Sequence, residues 1–231
     1  MTSHTAVVLL SGGLDSCVAA AVAREAGDLA LLHVNYGQRT SARELSAFEQ
    51  IANYYGVERK LTVDVDHLRH IGGSSLIDPS LQIPDGAEEV AEVAVPTTYV
   101  PFRNGNLLAI AVAWAEALRA TAVYIGAHEQ ESLYPDCTAA FFEAFGEAVS
   151  AGTAMKPAIT IETPLLSLDK GGIVRLGAEL KAPLHLTWSC YQSDEVPCGR
   201  CHSCELRRRG FVDAGLPDPA AAPSATPPGA A

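Results

Sequence analysis

The stretch "AVVLLSGGLDSCVAAAVAREAG", residues 6–27, decides the fold. Ala6 to Leu10 is an unbroken apolar run, as a strand buried on both faces of a parallel sheet requires. The alanine-rich run 16–26 reads as a helix that Gly27 stops. Between the two stand Ser11, Gly12, Gly13, Leu14, Asp15 and Ser16. Paired glycines let the backbone turn sharply and approach a ligand with no Cβ in the way. The helix start offers unpaired N–H groups and a partial positive charge, and the two serine hydroxyls add donors. Together they form an anion site suited to phosphate. Asp15 is out of place beside phosphates unless it caps the helix or holds a Mg²⁺ that bridges to a pyrophosphate. The pattern GxxxxGK[ST] is absent and no lysine follows the glycines, so a loop for γ-phosphate transfer is not supported.

Outward from this turn the alternation continues. Residues 29–35 read as a second buried strand, 41–55 as a helix ended by Gly56, and 60–66 as an alternating strand nearer an edge. Residues 106–120 are apolar nearly all round, which predicts a buried helix, and 122–127 form another buried strand. Helices are expected over 138–150 and 168–181. The class is α/β, a doubly wound and mostly parallel sheet. Residues 70–101 break the rhythm with glycines, prolines and acids and read as a lid or an interface element. From about residue 214 the chain is Pro/Ala-rich and reads as a disordered tail.

The chain has 231 residues, 48% of them hydrophobic, enough for one domain with a sizeable core. It lacks an apolar run of about 18 residues, so a membrane span is not expected. Its start has no basic region of the kind that opens a secretory signal, which makes the cytoplasm the expected location. A net charge of −11 repels phosphate backbones and favours a small-molecule substrate over nucleic acid. Four of the six cysteines, Cys190, Cys198, Cys201 and Cys204, fall within fifteen residues as C-x7-C-x2-C-x2-C. Four thiolates so spaced suit a closed, structural Zn²⁺ site, with an iron–sulfur cluster as the other occupant. His202 is a further candidate ligand, but Cys190 is the better fourth. Arg207-Arg208-Arg209 reads as a solvated face or a neighbour of the metal. Cys17 and Cys137 read as packing or unassigned residues.

"SGGLDS" (11–16) resembles the loop of the PP-loop ATP pyrophosphatases. With the cysteine set and the segments "NYGQR" (35–39), "GGSSL" (72–76), "YVPFRNGNLLAIAVAWAE" (99–116), "YIGAH" (124–128), "YPDCTAAF" (134–141) and "TWSCY" (187–191), the chain resembles the QueC family of queuosine biosynthesis over about residues 5–219. The resemblance implies a PP-loop domain over 1–185, a zinc-binding subdomain over 186–213 and a tail over 214–231. It also implies an ATP-dependent ligase acting on 7-carboxy-7-deazaguanine and ammonia. That reaction runs through an adenylate and an amide to the nitrile, with structural Zn²⁺, ATP with Mg²⁺, and a homodimer plausible.

On that resemblance Ser11, Gly12, Gly13, Leu14, Asp15 and Ser16 would bind the phosphates and Mg²⁺, while Leu10 and Val34 border the adenosine. Arg39 and Arg103 would contact phosphate or an oxyanion, since a guanidinium forks onto both. Asp136 would accept from the guanine-like edge of the substrate, His128 would lie at the substrate, and Lys170 would contact phosphate. The chain departs from the family where "PDC" is commonly followed by Arg or Thr, Pro and Glu; here Thr138-Ala139-Ala140 follow. The departure leaves room for a relative that stops at the amide or conjugates another amine, including one on a protein. A tRNA thiolase and a nucleotide-sensing module are weaker alternatives.

Overall fold

The computed structural model describes residues 4–86, 95–130 and 132–220. Five parallel strands form one sheet in the order β3-β2-β1-β4-β5. The strands are β1 Thr5–Leu9, β2 Asp28–Asn35, β3 Lys60–Asp64, β4 Ala122–Ile125 and β5 Thr160–Glu162. Among the described residues seven α-helices accompany them: α1 Leu14–Ala26, α2 Ser41–Tyr55, α3 Asp66–Ile71, α4 Arg103–Leu118, α5 Ala139–Gly152, α6 Lys170–Glu179 and α7 His202–Ala214. The chain first winds from β1 outward to β3, then crosses back to β4 beside β1. Strand order therefore reverses at the β1/β4 boundary, where sheets of this kind bind ligands beyond the carboxyl ends of their strands.

The two sheet faces bury alternate residues of the same strands, which is why those strands read as continuous apolar runs. Val7, Leu9, Ala30, Leu32 and Val34 pack with Leu108, Ala111 and Ala115 of α4. Val8, Leu10, Leu29 and Leu31 pack with Cys17 and Ala20 of α1 and Phe48 and Ile51 of α2. β3 is an edge strand with alternating exposure, as its pattern predicts. The expected helices agree with the structure to within a few residues. β5 carries no sequence signal because three residues are too few for a period to show. α3 and α7 were likewise not legible; the cysteine motif masked the helix that starts at His202.

α4 is not buried all round as its composition predicts. Its Leu108, Ala111 and Ala115 face the sheet, while Ala109, Ala113 and Ala117 are exposed and Ile110 and Trp114 are only partly covered. The segment after α3 is no free loop over its described part. Leu76, Ile77 and Ile83 enter the core, and Asp85 bridges to Cys201. Residues 87–94, the rest of the expected lid, lie outside the described residues. The tail expected from 214 begins with ordered chain. Gly215 caps α7 in a left-handed conformation, and the Asp218 carboxylate accepts two hydrogen bonds from Arg207, both 2.8 Å. Residues 221–231 lie outside the described residues. Among the described residues no helix is long and apolar enough to cross a membrane.

Candidate functional site

The turn after β1 lies at the reversal point of the sheet. Gly12 adopts φ +89°, and a Cβ there would come within 2.5 Å of the Glu44 carbonyl oxygen and 2.9 Å of Ala47 Cβ. Glycine is thus required both by conformation and by the closeness of α2. At the end of β4, a Cβ on Gly126 would meet Asp15 C and Ser16 N at 2.7 Å, so β4 also closes directly on the loop. Ser16 Oγ donates to Gly13 O at 3.0 Å and accepts from Ser11 N at 3.2 Å, while the Ser11 and Ser16 hydroxyls lie 3.1 Å apart. α1 begins at Leu14, with no side-chain cap. The N–H groups of its first turn and the serine hydroxyls are groups that could donate to an anion.

Asp15 does not cap this helix. Its carboxylate accepts from Lys170 Nζ at 2.7 and 2.8 Å, and His128 Nε2 lies 3.6 Å from Asp15 and 3.3 Å from Lys170. Three separate places in the chain meet here: the first turn of α1, the segment after β4 and the start of α6. Burial opposes ionisation of Asp15, but Lys170 and His128 outweigh it and hold the carboxyl below its usual range. An ionised acid with lone pairs left over is a suitable donor for Mg²⁺.

A cleft of about 240 Å³ opens beyond the loop. Of the residues singled out in sequence, Leu10, Ser11, Gly13, Leu14, Asp15, Ser16, Val34, Arg103, His128 and Lys170 line it. Away from the loop the cleft widens into a chamber of Tyr36, Arg103, Asn104, Tyr134, Cys137 and Tyr191. The Arg103 guanidinium lies over the Tyr36 ring at 5.6 Å and the Tyr134 ring at 5.9 Å, and it donates to Tyr36 Oη at 3.4 Å and Asn104 Oδ1 at 3.3 Å. Tyr134 Oη in turn donates to Thr98 Oγ1 at 2.8 Å. A planar aromatic ligand fits such a frame. Tyr36, Tyr134 and Tyr191 stand in the quoted "NYGQR", "YPDC" and "TWSCY", yet sequence reasoning gave them no role.

Three candidates do not line the cleft. Gly12 instead accepts Trp188 N–H through its carbonyl at 2.9 Å. Arg39 is exposed and donates to the carbonyls of Asp78, at 2.8 Å, and Leu81, so it holds the turn after α3. Asp136 is buried, and its Oδ2 accepts Asn104 N–H at 2.8 Å at the start of α4. Its backbone carbonyl also accepts Asn104 Nδ2 at 2.9 Å. Asp136 satisfies a helix start and positions the residue beside Arg103, where sequence reasoning had it accepting from the substrate. Ala139 and Ala140, the departure from the family pattern, are exposed at the start of α5 and do not line the cleft.

Cys190, Cys198, Cys201 and Cys204 converge with their sulfurs all within 4.8 Å of one another, and Cys198 and Cys204 are 4.0 Å apart. Tetrahedral Zn–S bonds of about 2.3 Å would place sulfurs about 3.8 Å apart, so the cluster can hold a metal. Backbone N–H groups of Gln192 and Cys198 point at Cys190 Sγ, at 3.4 and 3.3 Å, as suits a thiolate ligand. This segment is also a wall of the cleft, through Trp188, Ser189, Tyr191, Ser203 and Arg207. Arg207 is no solvated residue. It is buried, pairs with Asp218, donates to Thr187 Oγ1 at 2.7 Å and lies over the Phe211 ring at 5.2 Å.

The model of the family described as "Queuosine biosynthesis protein QueC" matches residues 5–215. A 7-cyano-7-deazaguanine synthase from Chlorobaculum parvum is 49% identical over 216 residues, 93% of this chain and 94% of the relative. One from Chlorobium phaeobacteroides strain BS1 is 50% identical over 216 residues, 93% and 95% of the two chains. One from Acidobacterium capsulatum is 50% identical over 217 residues, 93% and 94%. A match running from the first residue of β1 past the end of α7 takes in every element that builds the cleft, and the chain belongs to the QueC family.

Proposed function

We propose that this chain is an ATP-dependent carbon–nitrogen ligase that converts 7-carboxy-7-deazaguanine and ammonia into 7-cyano-7-deazaguanine, the product in its relatives' name. The observation that carries the reading is that one cleft contains both the Ser11–Ser16 turn at the start of α1 and an aromatic frame around a half-buried arginine. A carboxylate is a poor electrophile until one of its oxygens becomes part of a good leaving group. Attack of that oxygen on the α-phosphorus of ATP expels pyrophosphate and gives the adenylate. Ammonia adds at the carbonyl carbon, AMP leaves with the C–O bond, and the amide remains. Repeating the activation on the amide oxygen, with loss of two protons from nitrogen and departure of AMP, gives the nitrile. One pocket can serve both rounds because acid and amide have nearly the same shape.

In this reading the first-turn N–H groups of α1, with Ser11 and Ser16, hold the pyrophosphate, and Leu10 and Val34 border the adenosine. Lys170 offsets charge at the phosphates, and His128 keeps the ammonium in place. Asp15 is the side chain that would hold Mg²⁺, which when bound neutralises charge on the leaving pyrophosphate. Arg103 orients the substrate carboxylate. The four cysteines would hold Zn²⁺ as a structural clamp, remote from bond-making. The domain division at about residue 185, the cytoplasm and a homodimer belong to the same reading. The half-open apolar side of α4 and the exposed ring of Phe102 support self-association.

The test is mass spectrometry of a reaction containing 7-carboxy-7-deazaguanine, ATP, Mg²⁺ and ammonium. Nitrile with AMP is expected. Amide alone, or ATP bound and never cleaved, would overturn the assignment.

A further inference from the structure

Once Asp136 is committed to α4, the chamber needs another acceptor for the donor edge of its substrate. Among the described residues two carboxylates line the cleft, Asp15 and Glu44. The charge of Asp15 is already neutralised by the Lys170 ammonium, which bonds both its oxygens. Glu44, in the first turn of α2, is in the opposite condition. Among the described residues no lysine, arginine or histidine forms an ion pair with it, and Arg103 acts on it only through space.

Glu44 is nevertheless held with care. Gln38 Oε1 accepts the Tyr36 backbone N–H at 2.9 Å, which fixes the orientation of the Gln38 amide. Its NH₂ group therefore faces Glu44 and donates to Oε2 at 3.0 Å. Thr40 Oγ1 donates to Oε1 at 2.8 Å. Gln38 and Thr40 are both buried, at 5% and 3% exposure, so this scaffold is rigid and dry. Each carboxylate oxygen accepts one bond and keeps a lone pair. Burial pushes the Glu44 carboxyl up, with the Thr40 and Gln38 hydrogen bonds and Arg103 pulling the other way. A half-buried carboxylate with no ion-pair partner among the described residues costs stability unless a ligand completes it.

We infer that Glu44 is the specificity-determining residue that reads the 2-amino-4-oxo edge of the deazapurine, accepting the ring N1–H and the exocyclic NH₂ on its two oxygens. This rests on the proposed function for the identity of the substrate. Two parallel N–H donors match two carboxylate oxygens, each with one lone pair free. Arg103, in the same chamber, is then left to the carboxylate that reacts.

The experiment compares full-length wild type with Glu44→Gln and Glu44→Asp, measuring KM separately for the deazapurine acid, ATP and ammonium. The same series is run with an analogue lacking the 2-amino group. Glu44→Gln should raise KM for the parent acid about 10- to 100-fold, the range for loss of a hydrogen bond to a charged group, with KM for ATP and ammonium unchanged. Wild type should discriminate against the analogue by a similar factor, and Glu44→Gln should discriminate little. The wild-type comparison does not depend on any variant folding. A rise in KM for ammonium alone would overturn the inference and make Glu44 the ammonia site. Equal use of parent and analogue by wild type would also overturn it. Failure of wild type to form nitrile would instead refute the proposed function, and direct binding of acid and analogue, measured calorimetrically, would still judge Glu44.

Discussion

The two ends of the cleft are built on opposite electrostatic plans. At the loop end every charge already has a partner: Asp15 with Lys170, and His128 beside both. At the chamber end the charges are left incomplete: among the described residues Glu44 has no ion-pair partner, and Arg103 rests on tyrosine rings and an asparagine. A site for a highly charged cosubstrate must not carry large uncompensated charge when empty, and an internal pair that can reorganise meets that need. A site for a planar, polar ring gains selectivity from groups that only the right ligand completes.

Substitutions can break or sharpen this contrast. The largest effect is expected from neither end but from the wall they share. Cys201→Ser should lose the bound metal, read by elemental analysis, and unfold far below the wild-type temperature, since structural zinc contributes roughly 10–16 kcal/mol in zinc-finger peptides. A metal-free variant of full activity and stability would remove the metal from the account. Next, Asp15→Ala should reduce AMP release on the order of 10³-fold, with metal content unchanged. Normal turnover would show that the loop's charge pair is ornamental.

Arg207→Leu leaves the half-buried Asp218 without its partner and should cost up to about 3–5 kcal/mol in denaturant unfolding. A cost near zero would mean that the wall does not depend on this tie. The smallest effect has the opposite sign. Because the Glu44 carboxyl is raised in the folded chain, stability from its protonated form is complete below the unfolded value of 4.5 and falls as pH rises through the higher folded value. Glu44→Gln should therefore be more stable than wild type at pH 8, by about 1 kcal/mol, and equal to it below pH 4.5. Greater stability of wild type at pH 8 would mean that the chamber is not left incomplete at all.

The loop end was legible in sequence because its chemistry is local. Ser11 to Ser16 are contiguous, and the strand before them and the helix after them fix where they point. Lys170 and His128 could be named through the family resemblance, but their convergence on Asp15 is made by β4 and α6 and has no linear signature. The chamber is a different case. Tyr36, Glu44, Tyr134 and Tyr191 come from four segments, and each alone reads as an ordinary core or surface residue. Asp136 misled because a carboxylate near a guanine site and a carboxylate at a helix start look the same in sequence. Arg207 was only half legible: three consecutive arginines beside the cysteines read as a solvated face or a neighbour of the metal, and the helical turn of α7 sends the first of them inward to Asp218.

The bond from Trp188 N–H to the Gly12 carbonyl joins two parts of the chain made far apart in time. The loop leaves the ribosome before the wall that faces it. Its facing wall, from Trp188 through Arg207 to the tie at Asp218, is made some 200 residues later. At about 5–20 residues per second that interval lasts at least about ten seconds. During it the turn after β1 lacks the wall that Trp188 begins, and one side stays open to water. The cleft is complete only once that later-made segment has docked on the turn.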